Sequence, residues 1–275
     1  LLFKELIVNV ISTTADPVPM TDEQKFIFDL KGWVLLPGVL EPELIEACRE
    51  HLHKLKNETD SLPEYKRYSL AGPAQELIDH PAIVGVLREI IAPDPGPDSY
   101  GFRCENSFAM YRTAGQSGSS PHCGPIVGPL AYRVLNGRIW SGLTRVVWEL
   151  TEVQKGQGGT PIMSGSHKVN FPVPEDYRQF DPWLYESYSC PPGSVLIFSE
   201  SCWHYGLEWK DSSQDRRAIF NCYNSYLAQW HKVNLPTEVI DQMPPRRQTA
   251  FRGVWGHNFH QGQHNDYYNQ DNQAL

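Results

Sequence analysis

The apolar pattern of this sequence changes near Tyr100, and that change constrains the fold more than any other feature. Upstream, apolar residues recur every three to four positions, as they do on the buried face of an amphipathic helix. Downstream, short β-prone runs alternate with turns rich in Gly, Pro and Ser, which is typical of strands. The pattern predicts helices at 21–30, 42–57 and from 81 onward, and strands at 32–39, 107–112, 138–150, 193–198 and 218–227.

A helical first part followed by many separated strands favours a mainly β fold with flanking helices. We predict a jelly-roll barrel, a cupin-like double-stranded β-helix, buttressed by N-terminal helices. No internal repeat or linker interrupts the pattern, so we expect a single domain at 21–258. Residues 1–20, which do not begin with Met, are expected to be an N-terminal extension of upstream or cloning-derived sequence. Residues 259–275 are expected to form a polar C-terminal tail.

The charge balance and the cysteine pattern narrow the class of partner. The net charge of -8 argues against an extended surface for nucleic acid or an anionic membrane. No apolar run approaches the roughly 18 residues that a membrane span needs. The six cysteines have no Cys-x-x-Cys spacing, which disfavours a structural zinc site, and a chain of this length needs no disulfide scaffold. We therefore expect reduced thiols in a cytoplasmic protein that acts on a small molecule.

Two of the ten histidines stand beside predicted strand ends, where the mouth of a barrel would place them. His122 lies in the segment SSPHCGP, and His204 follows 82 residues later. Non-haem Fe(II) enzymes bind iron through two histidines and one carboxylate. Arg216 follows His204 by twelve residues, and a guanidinium matches the paired oxygens of a carboxylate such as that of 2-oxoglutarate. The alternative for each residue is structural: a satisfied core histidine, or a surface arginine before a strand.

Five segments, in the same order, resemble the phytanoyl-CoA dioxygenase family of Fe(II)/2-oxoglutarate-dependent oxygenases across about residues 21–252. They are FDLKGWVLLPGVLEPELIEACREHL (28–52), VVWELTEV (146–153), GGTPIMSGSHK (158–168), PPGSVLIFSESCWHYG (191–206) and RRAIFNCY (216–223). The resemblance implies that His122 and His204 bind iron. It also implies that Arg216 binds 2-oxoglutarate and that Trp148 lies near this cosubstrate. His167, in the family's Gly-Ser-His turn, is expected to be structural or to face the substrate.

The sequence departs from that family at the position of the iron-binding carboxylate. The family's His-x-Asp reads His122-Cys123-Gly124 here, and glycine offers no donor atom. Halogenating relatives use this substitution to admit chloride to iron, so Gly124 is expected to mark a halide site. The resemblance then implies an Fe(II)- and 2-oxoglutarate-dependent halogenase, which uses O2 and chloride to chlorinate an unactivated aliphatic carbon through an Fe(IV)-oxo intermediate. The one literal His-x-Asp, at 264–266, lies in the polar tail and is interpreted as chance.

Two other functions stay open. A hydroxylase would hold water in the position vacated by the carboxylate, and a non-catalytic relative would keep the barrel without turnover. Retention of both histidines and the arginine disfavours the second. The expected substrate is a free metabolite, with nucleotides included, or an acyl group on a carrier protein. Arg112, Arg138 and Arg145 are candidates for binding its phosphate or carboxylate, with surface salt bridges as the alternative.

Overall fold

The computed structural model describes residues 9–92, 96, 99–179, 181 and 183–254. Its α-helices are α1 (Asp22–Lys31), α2 (Pro42–Asn57), α3 (Pro81–Ile90), α4 (Thr237–Ile240) and α5 (Pro245–Gln248). Its strands are β1 (Trp33–Leu36), β2 (Phe102–Arg112), β3 (Arg133–Leu135), β4 (Arg138–Trp140), β5 (Thr144–Glu149), β6 (Ile162–Met163), β7 (Tyr185–Glu186), β8 (Ser194–Ser199) and β9 (Arg216–Ser225). The predicted class, mainly β with flanking helices, is confirmed. Closure of the strands into a barrel stays a prediction.

The N-terminal helices begin where their capping residues predict. The side chain of Thr21 accepts a hydrogen bond from the backbone N–H of Gln24, and the side chain of Gln24 accepts one in return from the backbone of Thr21. Gly32 ends α1 in the left-handed conformation, with φ of 82°. Proline stands in the first turn of α2 and α3, where its missing N–H leaves no hydrogen bond unmade. The three predicted helices are therefore confirmed.

Five strands form one antiparallel sheet in the order β1-β8-β5-β9-β2. Successive side chains point to opposite faces of such a sheet. Val146 and Trp148 of β5 and Ile219 of β9 join the large hydrophobic core that also contains the buried residues of α1, α2 and α3. Arg145 of β5 and Phe220 of β9 point the other way, into a cavity. The helices thus cover one face of the sheet and leave the other face to line that cavity.

A β-bulge in β2 turns the second half of that strand toward the cavity. The pairing of β2 with β9 shifts between Cys104 and Asn106, so Glu105 is an extra residue in β2. Cys104 faces the helical core before the bulge, whereas Arg112, also even-numbered, lines the cavity after it. One additional residue therefore decides which side chains of β2 reach the cavity.

An irregular ladder forms the other wall of the cavity. Residues 115–124 run antiparallel to 200–209, with the N–H of His122 donating to the carbonyl of His204 at 2.9 Å and the N–H of His204 donating back at 2.8 Å. Residues 157–163 pair with the opposite edge of 203–210. Apart from β6, these three segments are not regular strands, yet their hydrogen bonds hold distant parts of the sequence side by side.

The strand predicted at 138–150 is wrong in its middle, because a turn at Gly142 separates β4 from β5. Gly142 has φ of 70°, and a Cβ at this position would lie 2.0 Å from the carbonyl oxygen of Leu130. Only glycine fits so close to a neighbouring backbone. The turn separates the short β3–β4 hairpin from the main sheet.

The described part of the predicted N-terminal extension packs onto the domain. Ile11 donates its N–H to the carbonyl of Val39 at 2.8 Å, and Met20 is buried in the main core. The tail predicted at 259–275, with the His-x-Asp at 264–266, lies outside the described residues. Within the residues that are described, no helix combines the length and the apolar character that a bilayer span requires.

Candidate active site

The cavity has a volume of about 690 Å³ and lies between the main sheet and the irregular ladder. Strands β2, β5, β8 and β9 supply one wall, and residues 116–119, 122 and 204–206 supply the other. Aromatic rings and guanidinium groups share its lining, which also contains both histidines singled out in the sequence. The aromatic and cationic lining residues are Phe108, Tyr111, Arg112, Arg145, Phe198, Tyr205, Arg216 and Phe220.

His122 and His204 lie side by side at this cavity. Their backbones form an isolated antiparallel bridge, and their ring centroids are 4.3 Å apart with an interplanar angle of 55°. His204 is buried and its ring also lies 4.7 Å from that of Phe198, whereas His122 is exposed. The structure therefore brings together two histidines that are 82 residues apart in the sequence.

Backbone hydrogen bonds select the same tautomer for both rings. Nδ1 of His122 donates to the carbonyl of Ser120 at 2.7 Å, and Nδ1 of His204 donates to the carbonyl of Cys202 at 2.9 Å. A carbonyl oxygen only accepts, so each Nδ1 carries the proton and each neutral ring keeps its lone pair on Nε2. Metal-binding histidines in proteins are commonly oriented in this way. The pair is thus prepared to offer two nitrogen ligands.

Gly124 lies against Glu200. The N–H of Gly124 donates to the carbonyl of Glu200 at 2.6 Å. A Cβ built on Gly124 would lie 2.7 Å from Cβ and 3.3 Å from Oε2 of Glu200. The space that an aspartate side chain would enter at position 124 is therefore bounded by the side chain of Glu200.

Glu200 is a buried carboxylate that the sequence analysis did not single out. Its Oε1 accepts a hydrogen bond from Nε of Arg145 at 2.6 Å, and its Oε2 lies 3.7 Å from Nε2 of His204. Burial raises the pKa of Glu200, but the neighbouring groups, chief among them the cationic Arg145, outweigh burial, so the net pKa is lowered. Glu200 is therefore ionised at neutral pH, with one oxygen bound by Arg145.

Arg216 lines the cavity, but its charge is already balanced. The side chains of Arg216 and Glu149 are fully buried and form a two-pronged ion pair, with Nε donating to Oε2 at 3.1 Å and Nη2 donating to Oε1. Tyr188 donates its hydroxyl to Oε1 of the same carboxylate at 2.6 Å. Burial opposes the charge of Arg216, yet Glu149 outweighs burial and raises the pKa of the guanidinium. Arg216 is thus held in place as a cation by Glu149.

Arg112 is the register partner of Arg216 across the β2–β9 pair and lines the same cavity. It is 4% exposed, and Nη1 donates to the carbonyl of Leu207 at 2.8 Å. Among the described residues, no carboxylate forms an ion pair with it. Burial, together with the adjacent Arg216, lowers the pKa of Arg112 to about 10. Arg112 and Arg216 are both buried cations, and Glu149 balances the charge of only one of them. One positive charge therefore remains at the cavity.

The remaining sequence candidates lie elsewhere or serve the fold. Contrary to expectation, Trp148 does not line the cavity: it is fully buried on the helix-covered face, 5.4 Å from the ring of His80 in an edge-on contact. The reason is strand alternation, since its neighbours on β5 take the cavity side. His167 is buried, and its Nε2 bonds the carbonyl of Asp29 at 3.1 Å, as expected of a structural residue. Arg138 is bonded to the carbonyl of Ala92 at 2.9 Å, away from the cavity.

A second cluster of potential metal ligands contains Glu105, Cys222 and His231. It is the one group of three such residues, in the described parts of the chain, whose ligand atoms all lie within 4.8 Å of one another. Glu105 already accepts the backbone N–H groups of Trp230 and His231, and Arg103 lies 3.6 Å from it. These contacts neutralise the carboxylate and bind the 230–231 segment, which is a structural role.

No family model matches the chain, and no curated protein matches it. Solved structures resemble its fold. HygX from Streptomyces hygroscopicus, with nickel and 2-oxoglutarate bound, superposes with a TM-score of 0.63 at 19% identity over 80% of this chain and 94% of HygX. The non-heme α-ketoglutarate-dependent carbocyclase SnoK from nogalamycin biosynthesis gives 0.54 at 17% identity over 84% and 95%. The non-heme monooxygenase ThoJ gives 0.52 at 16% identity over 73% and 76%.

The fold of this chain is therefore the one found in non-heme iron and 2-oxoglutarate-dependent enzymes. At these identities the likeness establishes the fold and leaves the chemistry to be argued from the site. What the chain itself contributes is a histidine pair and two adjacent guanidinium groups that line one cavity, with the buried carboxylate of Glu200 beside His204.

Proposed function

We propose that this protein is an Fe(II)- and 2-oxoglutarate-dependent oxidoreductase that oxidises a small-molecule substrate with O2. The observation that carries the proposal is the pair His122 and His204. Their ring centroids are 4.3 Å apart, and the Nδ1 atom of each ring donates a hydrogen bond to a backbone carbonyl oxygen. A histidine pair that keeps both Nε2 lone pairs beside a cavity fits an iron site better than it fits a role in the core.

His122 and His204 would hold the iron through Nε2. Two imidazole nitrogens beside a buried carboxylate form the donor set that non-haem Fe(II) prefers. Iron bound there supplies the activation of O2, with 2-oxoglutarate as the source of electrons. The aromatic side chains of Phe198 and Phe220 would exclude water from that reaction.

The guanidinium groups of Arg112 and Arg216 would bind the distal carboxylate of 2-oxoglutarate. Because Glu149 already balances Arg216, the unbalanced charge belongs to Arg112. A dianionic cosubstrate supplies the missing negative charge and relieves the repulsion between the two cations. We therefore assign the binding of 2-oxoglutarate, expected for Arg216 alone, to Arg112 and Arg216 together. Glu149 and Tyr188 are then positioning residues that hold Arg216 in place.

Halogenation is a second candidate, and Gly124 is the observation that favours it, since a glycine offers iron no donor atom. In that case chloride would enter beside Gly124 as the fourth cofactor. The carboxylate of Glu200 disfavours this reaction, because its Oε2 lies 3.3 Å from where a Cβ of residue 124 would stand. A halide placed there would meet a like charge. We therefore rank oxygenation above halogenation.

The proposed substrate is a free small molecule that carries both polar groups and an aliphatic carbon. The cavity volume of about 690 Å³ falls in the range that suits small-molecule sites, and its lining mixes aromatic and hydroxyl side chains. HygX, which has this fold, is known in a complex with 2-oxoglutarate and hygromycin B. Small molecules that resemble hygromycin B chemically are therefore the first substrates to test.

Anoxic titration of the full chain with Fe(II) and 2-oxoglutarate tests the proposal without knowledge of the substrate. We expect the visible charge-transfer band of 2-oxoglutarate bound to iron, and we expect His204→Ala to lose it. His53→Ala, a substitution of an exposed histidine on α2, is the matched control and should retain the band. Absence of the band in the unaltered chain at saturating Fe(II) would overturn the proposal.

Exposure of the same complex to O2 separates the two reaction classes. Succinate is the expected product of 2-oxoglutarate in both. With polyhydroxylated metabolites or nucleotides offered in the presence and absence of chloride, oxygenation predicts products that gain oxygen or lose hydrogen regardless of chloride. A chlorine isotope pattern in the mass spectrum would instead establish halogenation.

A further inference from the structure

We propose that Glu200 supplies the carboxylate ligand that His122-Cys123-Gly124 lacks, so that the iron site is completed by His122, His204 and Glu200. This inference rests on the proposed function. The usual third ligand stands two positions after the first histidine, where this chain has Gly124. The proposed ligand, Glu200, stands four positions before the second histidine.

The space around Gly124 is occupied by Glu200. A Cβ at this position would approach Cβ of Glu200 to 2.7 Å, a separation that real side chains do not tolerate. Gly124 is not among the glycines with positive φ, so its backbone conformation does not demand glycine. Glycine is needed because Glu200 fills the space. The carboxylate group therefore stands beside the position from which the usual aspartate would reach iron.

Glu200 and His204 make a contact that a bound cation would favour. Oε2 of Glu200 lies 3.7 Å from Nε2 of His204, and both side chains are buried. Nδ1 of His204 carries the ring proton, which it donates to the carbonyl of Cys202. In the neutral ring, Nε2 therefore turns a lone pair toward an anionic oxygen at this distance. A cation bound by both atoms converts that repulsion into attraction.

Arg145 orients the carboxylate of Glu200. Arg145 on β5 bonds Oε1 at 2.6 Å, which leaves Oε2 free on the side of His204 and Gly124. A metal-binding carboxylate is commonly held by a second hydrogen bond of this kind. Arg145 is thereby a positioning residue, and the ligand is predicted to bind through a single oxygen.

The three groups must move inward to bind an ion. In the described parts of the chain only Glu105, Cys222 and His231 have three ligand atoms within 4.8 Å of one another, so the set of His122, His204 and Glu200 is wider than that. His122 is exposed, and the side chain of Glu200 has rotatable bonds of its own. The inference therefore requires these two side chains to rotate, while the His122–His204 bridge already holds the two histidine backbones together.

Iron affinity of the full chain, measured by anoxic calorimetry with Fe(II), tests this assignment. Glu200→Gln keeps the shape and removes the charge, and we expect it to weaken Fe(II) binding by more than about 100-fold, above the roughly 10- to 100-fold usual for residues that only orient a ligand. Glu186→Gln, an exposed acid that pairs with Lys31, is the matched control and should bind iron as the unaltered chain does. Circular dichroism confirms that each variant is folded.

A ligand swap separates coordination from a structural role of Glu200. Gly124→Asp with Glu200→Gly removes the clashing Cβ and restores His-x-Asp, so we expect Fe(II) affinity to return to within about tenfold of the unaltered chain. X-ray absorption of the iron-loaded protein should show a similar count of nitrogen and oxygen ligands in both. Unchanged iron affinity in Glu200→Gln would overturn the assignment of Glu200. Loss in Glu200→Gln without recovery in the folded swap variant would do the same.

The outcomes distinguish this inference from the proposed function. If the unaltered chain binds no iron, and His204→Ala is therefore no different, the proposed function fails. If the unaltered chain binds iron, His204→Ala loses it and Glu200→Gln retains it, then the function stands and the Glu200 assignment falls. In that case the position beside Gly124 is open to chloride, and halogenation regains first place.

Discussion

Arg112 and Arg216 are cross-strand partners in one antiparallel pair, yet only Arg216 has a carboxylate partner among the described residues. Register partners in an antiparallel sheet have Cα atoms about 4.5 to 5.5 Å apart, so the two cations are neighbours on the cavity face. Like charges facing each other across a sheet are unfavourable. A bound anion would remove this penalty, which is the basis for the proposed role of the pair in binding 2-oxoglutarate.

Arg112→Met should weaken 2-oxoglutarate binding to the iron-loaded chain by about 10- to 100-fold, the loss of one hydrogen bond to a charged group. Iron affinity in the absence of 2-oxoglutarate should stay unchanged, because Arg112 contacts neither histidine in the hydrogen bonds observed. Calorimetric titration with 2-oxoglutarate measures the effect. Arg138→Met, on β4 and outside the cavity, serves as the control. Equal 2-oxoglutarate affinities in the two variants would contradict the role given to Arg112.

Glu149→Gln should destabilise the fold by about 3 to 5 kcal/mol, since it leaves the buried guanidinium of Arg216 without its counter-charge. Urea unfolding monitored by tryptophan fluorescence gives the free energy of unfolding. We expect added 2-oxoglutarate to restore part of the lost stability, because its carboxylate supplies the charge that Glu149 provided. A variant as stable as the unaltered chain would show that the ion pair contributes little.

Trp148→Phe should leave 2-oxoglutarate affinity within about twofold, because Trp148 lies on the face of the sheet away from the cavity. Its indole N–H has no hydrogen-bond partner among the described residues, so phenylalanine loses packing volume but no hydrogen bond. We expect a loss of about 1 to 3 kcal/mol in the free energy of unfolding. A large fall in 2-oxoglutarate affinity with intact stability would restore the cosubstrate role that the family resemblance implied.

Stability should fall in mild acid, in part through His80. Burial lowers the pKa of His80 to about 4, from 6.5 in the unfolded chain. Between these values the unfolded chain binds a proton that the folded chain does not, so the free energy of unfolding decreases as the pH falls, by about 2 kcal/mol between pH 7 and pH 5. His80→Asn keeps an acceptor for the N–H of Ala82 and should remove this share of the pH dependence.

Urea unfolding of His80→Asn at pH 7 and pH 5 checks that expectation against His53→Asn, in which an exposed histidine is replaced. The difference in unfolding free energy between the two pH values should shrink in the first variant and persist in the second. His167 is also buried, with its pKa lowered to about 4, so part of the pH dependence will remain in both.

Glu200→Ala should create the halide response that the unaltered chain is expected to lack. Removal of the carboxylate would open a position beside iron and delete one negative charge. A small anion would fill that position and restore the charge. Chloride should shift the charge-transfer band of the variant complex with Fe(II) and 2-oxoglutarate, and should leave the band of the unaltered complex in place. A chloride shift already present in the unaltered complex would favour the halogenase hypothesis.

The helices were predictable because their signals are local. Thr21 and Gln24 make a capping box within four residues, and the helix at 42–57 has the bounds that its apolar period indicated. The histidine pair was predictable from context, as two histidines beside strand ends. The bulge at Glu105 was not, since it depends on the register between β2 and β9 rather than on the identity of the extra residue.

Glu200 shows why the candidate site was only partly predictable. In the sequence it stands in FSESCWHYG, and nothing in that order distinguishes it from a surface acid. Its importance arises because the 115–124 segment folds against 200–209 and places Gly124 beside it. The spacing of four residues between this acid and His204 was one signal, but it does not separate a metal ligand from a surface acid. The alternation of side chains along β5 was a second signal for the site, because it places Arg145 and Glu149 on the face opposite Trp148.

The contact between Gly124 and Glu200 bears on how chains of this kind are sorted into reaction types. A search that equates a missing aspartate with a halogenase checks the residues after the first histidine. It does not check the residues before the second histidine, which pair with them. If Glu200 binds iron as proposed, a glycine two residues after the first histidine together with a glutamate four residues before the second would mark chains that keep a carboxylate ligand at another position. Such chains would then be grouped with oxygenating enzymes, and the pair of substitutions would identify them.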